Sequence, residues 1–309
     1  MSAAPPETRW RASMRGQIAL HGWEHTYQPI LDYIDTIFPK ETWSKYDAEL
    51  RSVAEPIIGA ETVAEINGMR EVAIELGHNV TMSELEFFQI FYEILMQCTG
   101  VLARDGDGNI LHGRNMDIGL PVQNLTVQVA WKRGGRKIME STQYLGYVGV
   151  HTGMRLGGWS VQANERLVLT PGPAIGYDNA ILLLTAAAFL EGHQPVGQFL
   201  RKTLLEHGTL EDALPALLHT KLASPLYLIA GGLSGGKIIT RDRMGPARES
   251  QDTSVFGRQP VPPGAAELNV SGWFRVQTNW DPWVNETEAD CDSRVAKYEK
   301  AEEQGQHRV

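Results

Sequence analysis

Apolar residues recur at three- and four-residue spacing through TYQPILDYIDTIF, WSKYDAELRSVAEPII and AETVAEINGMREVAIEL. That period predicts amphipathic helices over roughly the first ninety residues. The last of the series is TMSELEFFQIFYEILMQ, where Ser83 and Glu86 have capping-box spacing and the apolar face is wide. This helix is expected to stop at Cys98. The texture then changes to strands in VLARD, NILHGRNMD, LTVQVAWKR, KIMESTQYLGYVG and WSVQANERLVL, with turn residues between them. A second helical block runs from DNAILLLTAAAFLEG through PVGQFLRKTLLEHG to LEDALPALLHT. Strands return in PLYLIAGG, GKIITRDR and GWFRVQTNW. Strands, then helices, then strands imply an α+β fold of antiparallel sheets with helices outside, not alternating βαβ units.

Composition changes this picture little. The chain has 309 residues, 42% hydrophobic and 21% charged, which suits a globular protein with a sizeable core. Charge does more: a net charge of -9 argues against nucleic acid as a partner. Near pH 5 much of that charge would cancel, which opens approach to an anionic lipid surface. The longest apolar run, AILLLTAAAFL (180–190), is too short to span a bilayer at ~20 residues and is expected to be a buried helix. No secretory leader is visible at MSAAPPETRW, yet four N-x-S/T sequons stand at Asn79, Asn124, Asn269 and Asn285. Chance would supply about one, so a secretory-pathway protein whose leader is absent from this sequence is expected.

Two motifs lead away from chemistry. GGLSGGK (231–237) matches the G-x-S-x-G elbow and most of a P-loop, but KIITR follows it instead of a helix. It is therefore expected to be a hairpin turn. The nine histidines form no metal-ligand spacing, so no metal is expected. His112 and His151 stand singly in strand contexts, as packed or hydrogen-bonded residues.

The candidate chemistry lies at Cys98, one of two cysteines. A bridge between Cys98 and Cys291 is the available disulfide. If Asp107-Gly108 forms a two-residue turn, Cys98 pairs with Asp117 and the two share a face. Arg114 then faces away unless the strand bulges near Gly113. A cut between Gln97 and Cys98 would free an α-amine of pKa near ~8, able to serve as base for its own thiol. The alternative is a small cysteine packed at a strand start.

The block CTGVLARDGDGNILHGRNMD (98–117) resembles the start of the catalytic subunit in the acid ceramidase and N-acylethanolamine-hydrolysing acid amidase family. PPETRW, IFYEIL, LGYVGVHTG, ANER, IITRDR and WFRVQTNWDPW resemble further family blocks in the same order. The resemblance implies an αββα sandwich of the N-terminal-nucleophile hydrolase type, matured by self-cleavage into residues 1–97 and 98–309, with no cofactor. It further implies Cys98 as nucleophile, with Arg114 and Asp117 holding the amine, thiol and substrate carbonyl. Asn279 would be an oxyanion-hole donor and Glu165 a polar member of the site. Glu165 paired only with Arg166, and Asn279 capping a turn, remain the plainer alternatives. Arg294, in the run Cys291-Asp-Ser-Arg, stands where the family has an arginine in a D-D-R-R run. The family also continues past the point where this sequence ends. The implied substrate is a lipid amide, ceramide or an N-acylethanolamine, met in a lysosome at a membrane surface or through a lipid-presenting activator. Tyr147 and Gly157-Gly158-Trp159 are candidates for an acyl channel. The other reading is a catalytically incomplete lipid-binding relative.

Overall fold

The computed structural model describes residues 4–37, 39–90, 93, 97–117, 122–166, 177–233, 235–247, 253–254 and 274–279. Among the described residues the chain opens with the α-helices α1 (Arg11–His21), α2 (Gln28–Ile37), α3 (Lys40–Lys45), α4 (Asp47–Ile58), α5 (Ala60–Glu75) and α6 (Met82–Phe88). Gly22 (φ 79°) closes α1, and Gly59 (φ 85°) turns α4 into α5, both in a backbone region that favours glycine. Gly68 lets α5 press against the turn at Pro6–Thr8, because a Cβ there would collide with the Glu7 carbonyl. Arg9 follows that turn and reaches buried Glu65 at 2.5 Å. Trp10 meets the edge of Trp131 at 5.8 Å.

The cap of α6 differs from expectation. Thr81 is the N-cap, accepting from Glu84 N at 3.2 Å while Glu84 Oε2 accepts from Thr81 N at 2.7 Å. Ser83 is already inside the helix, and its N–H goes to Asp47 Oδ1 at 3.0 Å. α6 itself ends at Phe88 and Gln89–Ile90 form a turn; of the rest of the predicted helix Glu93 is helical, and residues 91–92 and 94–96 lie outside the described residues.

Among the described residues ten strands form two antiparallel sheets. The larger has the order β3 (Thr126–Arg133), β4 (Arg136–Tyr144), β5 (Thr152–Arg155), β6 (Trp159–Glu165), β7 (Leu226–Gly231), β8 (Gly236–Arg241) and β9 (Thr253–Ser254). The smaller has β1 (Gln97–Arg104) between β10 (Phe274–Gln277) and β2 (Ile110–Asp117). Gly231 pairs with Gly236, so the glycine-rich motif is the expected hairpin.

The sheets stack with β1 over β6 and β7. Helices α7 (Tyr177–Leu190), α8 (Val196–Glu206) and α9 (Leu210–His219) follow β6. α8 and α9 cover the far face of the larger sheet. β7 is buried throughout because its faces serve different layers. Leu226, Leu228 and Ala230 join the core that includes α8 and α9, and Tyr227 and Ile229 pack with Leu102 of β1. The result is the α+β sandwich of stacked sheets and outer helices that the sequence predicts. Tyr147 and Trp159 are core residues instead of channel walls: the Tyr147 hydroxyl meets His151 Nε2 at 2.8 Å, and Trp159 Nε1 donates to the His207 carbonyl at 3.1 Å. The apolar helix α7 is not wholly buried, since Leu183, Leu184 and Leu190 are exposed.

Candidate active site

Cys98 is the second residue of β1 and fully buried. It is a free thiol, so the expected bridge to Cys291 is not formed. Arg114 occupies the sulfur instead, with Nη2 3.1 Å from Sγ.

The hairpin register explains how Arg114 arrives there. Gly100 pairs with Arg114 and Cys98 with Met116, one residue away from the predicted pairing. The turn is longer than the dipeptide rule implies. Asp105 Oδ1 accepts from Asp107 N at 3.0 Å and Asn109 N at 2.8 Å, and Gly108 takes φ 88°. That is a three-residue connection with glycine at the left-handed position. Cys98, Gly100 and Leu102 therefore face the larger sheet together with Met116, Arg114 and His112. No bulge is needed. Asp117 is the casualty of this shift: it pairs with Gln97, is exposed, and accepts from Asn115 Nδ2 at 2.9 Å.

Arg114 spans the gap between the sheets. Its Nη1 donates to the His151 carbonyl at 2.8 Å and to Thr152 Oγ1, and its Nη2 also donates to the Ala163 carbonyl at 2.7 Å. β5 and β6 thus fix the guanidinium through acceptors that carry no net charge. A planar, permanently cationic fork held this way keeps its charge aimed at the sulfur.

The backbone nitrogen of Cys98 is held as firmly. Its N–H donates to Asn279 Oδ1 at 2.6 Å, and Asn279 Nδ2 donates to the Glu165 carbonyl at 2.6 Å. Asn279 is fully buried and thereby ties the end of β10 to the end of β6 and to the head of β1. In this arrangement its amide clasps the nitrogen of the Gln97–Cys98 bond. Glu165 is buried, while Arg166 pairs with Asp242 at 2.5 Å. Gly100 permits the close approach of the sheets, because a Cβ there would collide with the Gln162 amide. Gln162 Nε2 in turn donates to Asn164 Oδ1 at 2.9 Å.

Neither histidine supplies a base at the sulfur. His151 binds Tyr147, and burial with the nearby Arg114 charge holds its pKa well below the usual value. His112 Nδ1 meets Ser160 Oγ at 2.8 Å, and burial pushes its pKa down to about 4. The Tyr144 hydroxyl, 3.1 Å from Met116 Sδ, has a pKa raised by burial, with the Arg114 charge acting in opposition. The structure thus brings together Cys98, Arg114, Asn279 and the Glu165 backbone, and leaves Asp117 on the outer face. Arg294 lies outside the described residues. Thr152, Tyr144 and Gln162 were missed, and only their place in blocks flanking the predicted site residues could have signalled them.

A buried thiol at the head of a strand in two stacked antiparallel sheets defines the N-terminal-nucleophile hydrolase type of fold. No protein-family model matches the chain. Individual proteins do. It is similar to the N-acylethanolamine-hydrolyzing acid amidase of Rattus norvegicus, 34% identical over 209 residues that cover 66% of this chain and 51% of that protein. It is also similar to the acid ceramidase of Rattus norvegicus, 33% identical over 235 residues covering 70% of this chain and 54% of that one. Among solved structures, the Caenorhabditis elegans ortholog of N-acylethanolamine-hydrolyzing acid amidase superposes with a TM-score of 0.50 at 29% identity, covering 67% of this chain and 79% of that one. The chain belongs to the acid ceramidase and N-acylethanolamine-hydrolysing acid amidase family. It spans about half the length of the curated relatives it matches.

Proposed function

We propose that the chain is a cysteine amidase that cuts itself before Cys98 and then hydrolyses the amide of a lipid, ceramide or an N-acylethanolamine. The observation that carries this reading is the double hold on Cys98, its sulfur by Arg114 and its nitrogen by Asn279.

In the first event the thiol attacks the Gln97 carbonyl and the acyl group moves from nitrogen to sulfur. The thiol proton ends on the released amine of Cys98. Water then cleaves the thioester, leaving a carboxylate on Gln97 and restoring the thiol. In turnover the freed amine takes the thiol proton, the sulfur attacks the acyl carbonyl, and the proton passes to the departing amine. Water releases the fatty acid. Arg114 stabilises negative charge gathering on sulfur, and Asn279 Oδ1 orients the amine. Asn279 Nδ2 carries two hydrogens, so it can keep one on the Glu165 carbonyl and turn the other to an oxyanion; one such donor is worth about 3 kcal/mol. Asp117 faces outward in the uncut chain, so any hold on the amine belongs to the cut form.

An acidic compartment of the secretory pathway suits this chemistry, with a membrane surface or an activator presenting the lipid. Among the described sequons, Asn79 is exposed, whereas Asn124 Nδ2 is already committed to the His25 carbonyl at 3.0 Å. Asn79 is therefore the better glycan acceptor. Among the described residues no helix is long and apolar enough to cross a membrane.

The test pairs intact mass after acid incubation with a series of N-acyl amides of rising chain length. Two chains divided before Cys98 are expected. Efficiency should climb with chain length, since each buried methylene contributes ~0.8 kcal/mol. A chain that stays whole and releases no fatty acid would make it a non-catalytic lipid-binding relative. A flat series, or a preference for short acyl groups, would remove the lipid assignment.

A further inference from the structure

Glu93 stands five residues before Cys98 and is fully buried. Its Oε1 accepts the N–H of Val196 at 2.7 Å. Val196 is the first residue of α8, so this carboxyl docks on the N-terminus of a helix from beyond the junction, where a partial positive charge favours an oxygen. The first turn of α8 carries no acidic residue of its own. Oε2 of Glu93 has no hydrogen-bond partner among the described residues.

The charged side chain that acts on Glu93 is Glu165 of β6. On the α8 side the charged or titratable groups nearest Val196 in sequence are His193 and Glu191, which face each other at 3.7 Å, and Arg201, which is bonded to Glu65 at 2.6 and 2.8 Å. Glu165 gives its carbonyl to Asn279, which holds the Cys98 nitrogen. Glu93 is thus within electrostatic reach of the residue that anchors the scissile bond, and it stands four positions before Gln97, whose carbonyl belongs to that bond.

We propose that Glu93 is a positioning residue for the cut before Cys98, its side chain anchored on the N-terminus of α8 as a neutral carboxylic acid. This inference rests on the self-cleavage reading above. A buried carboxyl with one oxygen unpartnered, beside a second carboxyl, disfavours its charged form. Burial, opposed by the Val196 N–H and assisted by Glu165, pushes its pKa up to about 8. The anchor is therefore neutral and intact at acid pH. Ionisation on the alkaline side places a charge next to Glu165 and loosens the anchor, so Glu93 sets the alkaline limit of the cut.

The experiment follows cleavage of the full chain by intact mass, from about pH 4.5 to about pH 9, in the wild type, Cys98→Ala, Glu93→Gln and Glu93→Ala. Glu93→Gln keeps an oxygen for Val196 and cannot ionise. It should cut at the wild-type rate near about pH 5 and continue at higher pH than the wild type. Glu93→Ala should cut at least about tenfold slower at every pH. If Cys98→Ala is also cut, the self-cleavage reading fails and this inference falls with it. If Cys98→Ala stays whole but Glu93→Gln keeps the wild-type alkaline limit, or a folded Glu93→Ala cuts normally, Glu93 alone loses its role. Should Glu93→Ala fail to fold, the Glu93→Gln profile decides.

Discussion

Two ends of the same interlayer space are built on opposite terms. At one end β1 presents Cys98 and Gly100, and the facing groups are Arg114, Gln162 and Asn279. At the other end the same face of β1 presents Leu102 to Tyr227 and Ile229, with Ile110 and Ile238 packed around them. The apolar end stabilises without direction, at about 25 cal/mol per Å² buried. The polar end stabilises only while every donor meets its acceptor, since a buried group left unpaired costs about 1–3 kcal/mol. Chemistry and cohesion are thus separated along one strand by four residues, Cys98 to Leu102.

That separation can be broken from either side. Arg114→Met should lower turnover by about 10²–10³-fold while the chain still folds, as expected for loss of one preorganised donor. Turnover assays beside far-UV dichroism check this; near-normal turnover would remove the guanidinium from the mechanism. Leu102→Ala should do the reverse, losing about 2–5 kcal/mol of stability in urea while turnover per folded molecule holds. Equal damage to turnover would show that the two ends are coupled.

His112 pairs with Leu102 at the apolar end, and its effect is smaller and depends on pH. Its folded pKa is about 4, below the usual 6.5. In that window the unfolded chain binds a proton that the fold refuses, so this site's stability is whole above the unfolded value and is lost as pH falls through the folded one. His112→Asn should flatten that acid-side decline by up to about 3 kcal/mol, read from urea midpoints across the window. An unchanged slope would place the decline elsewhere. Asp117→Asn should matter least. An exposed carboxylate on the far face should change the rate of the cut by less than about fivefold. A larger loss would mean that the hairpin register in the reacting chain differs from the one described.

Much of the architecture was legible because it follows local periods. Helices such as α2 and α5, and strands such as β3 and β7, announce themselves through apolar spacing. What escaped depends on distant or non-repeating groups. The register slipped by one because a single carboxylate, Asp105, gathers the N–H groups of Asp107 and Asn109, which a two-residue turn rule ignores. The α6 cap moved because Ser83 spends its N–H on Asp47, thirty-six residues away. Cys98 and Arg114 could be named from the hairpin and the resemblance. The groups that fix Arg114 could not, because two of them are main-chain carbonyls, at residues 151 and 163, that any side chain could have supplied. β5 was missed because four residues bounded by glycine-rich turns carry too little pattern.

The core is not divided where the chain would be cut. Trp10, Met14, Ile34, Ile66 and Phe88 share one apolar cluster with Val122, Leu125, Leu145 and Val148. Arg201 of α8 closes on Glu65 of α5 with bonds of 2.6 and 2.8 Å. A cut before Cys98 would therefore leave two polypeptides held together through one shared apolar cluster, while the other clusters lie within the second piece. Before the cut, resistance to unfolding is a property of one molecule. After it, mass action enters, and dilution itself becomes a denaturant whose strength is set by how rarely the two pieces meet again.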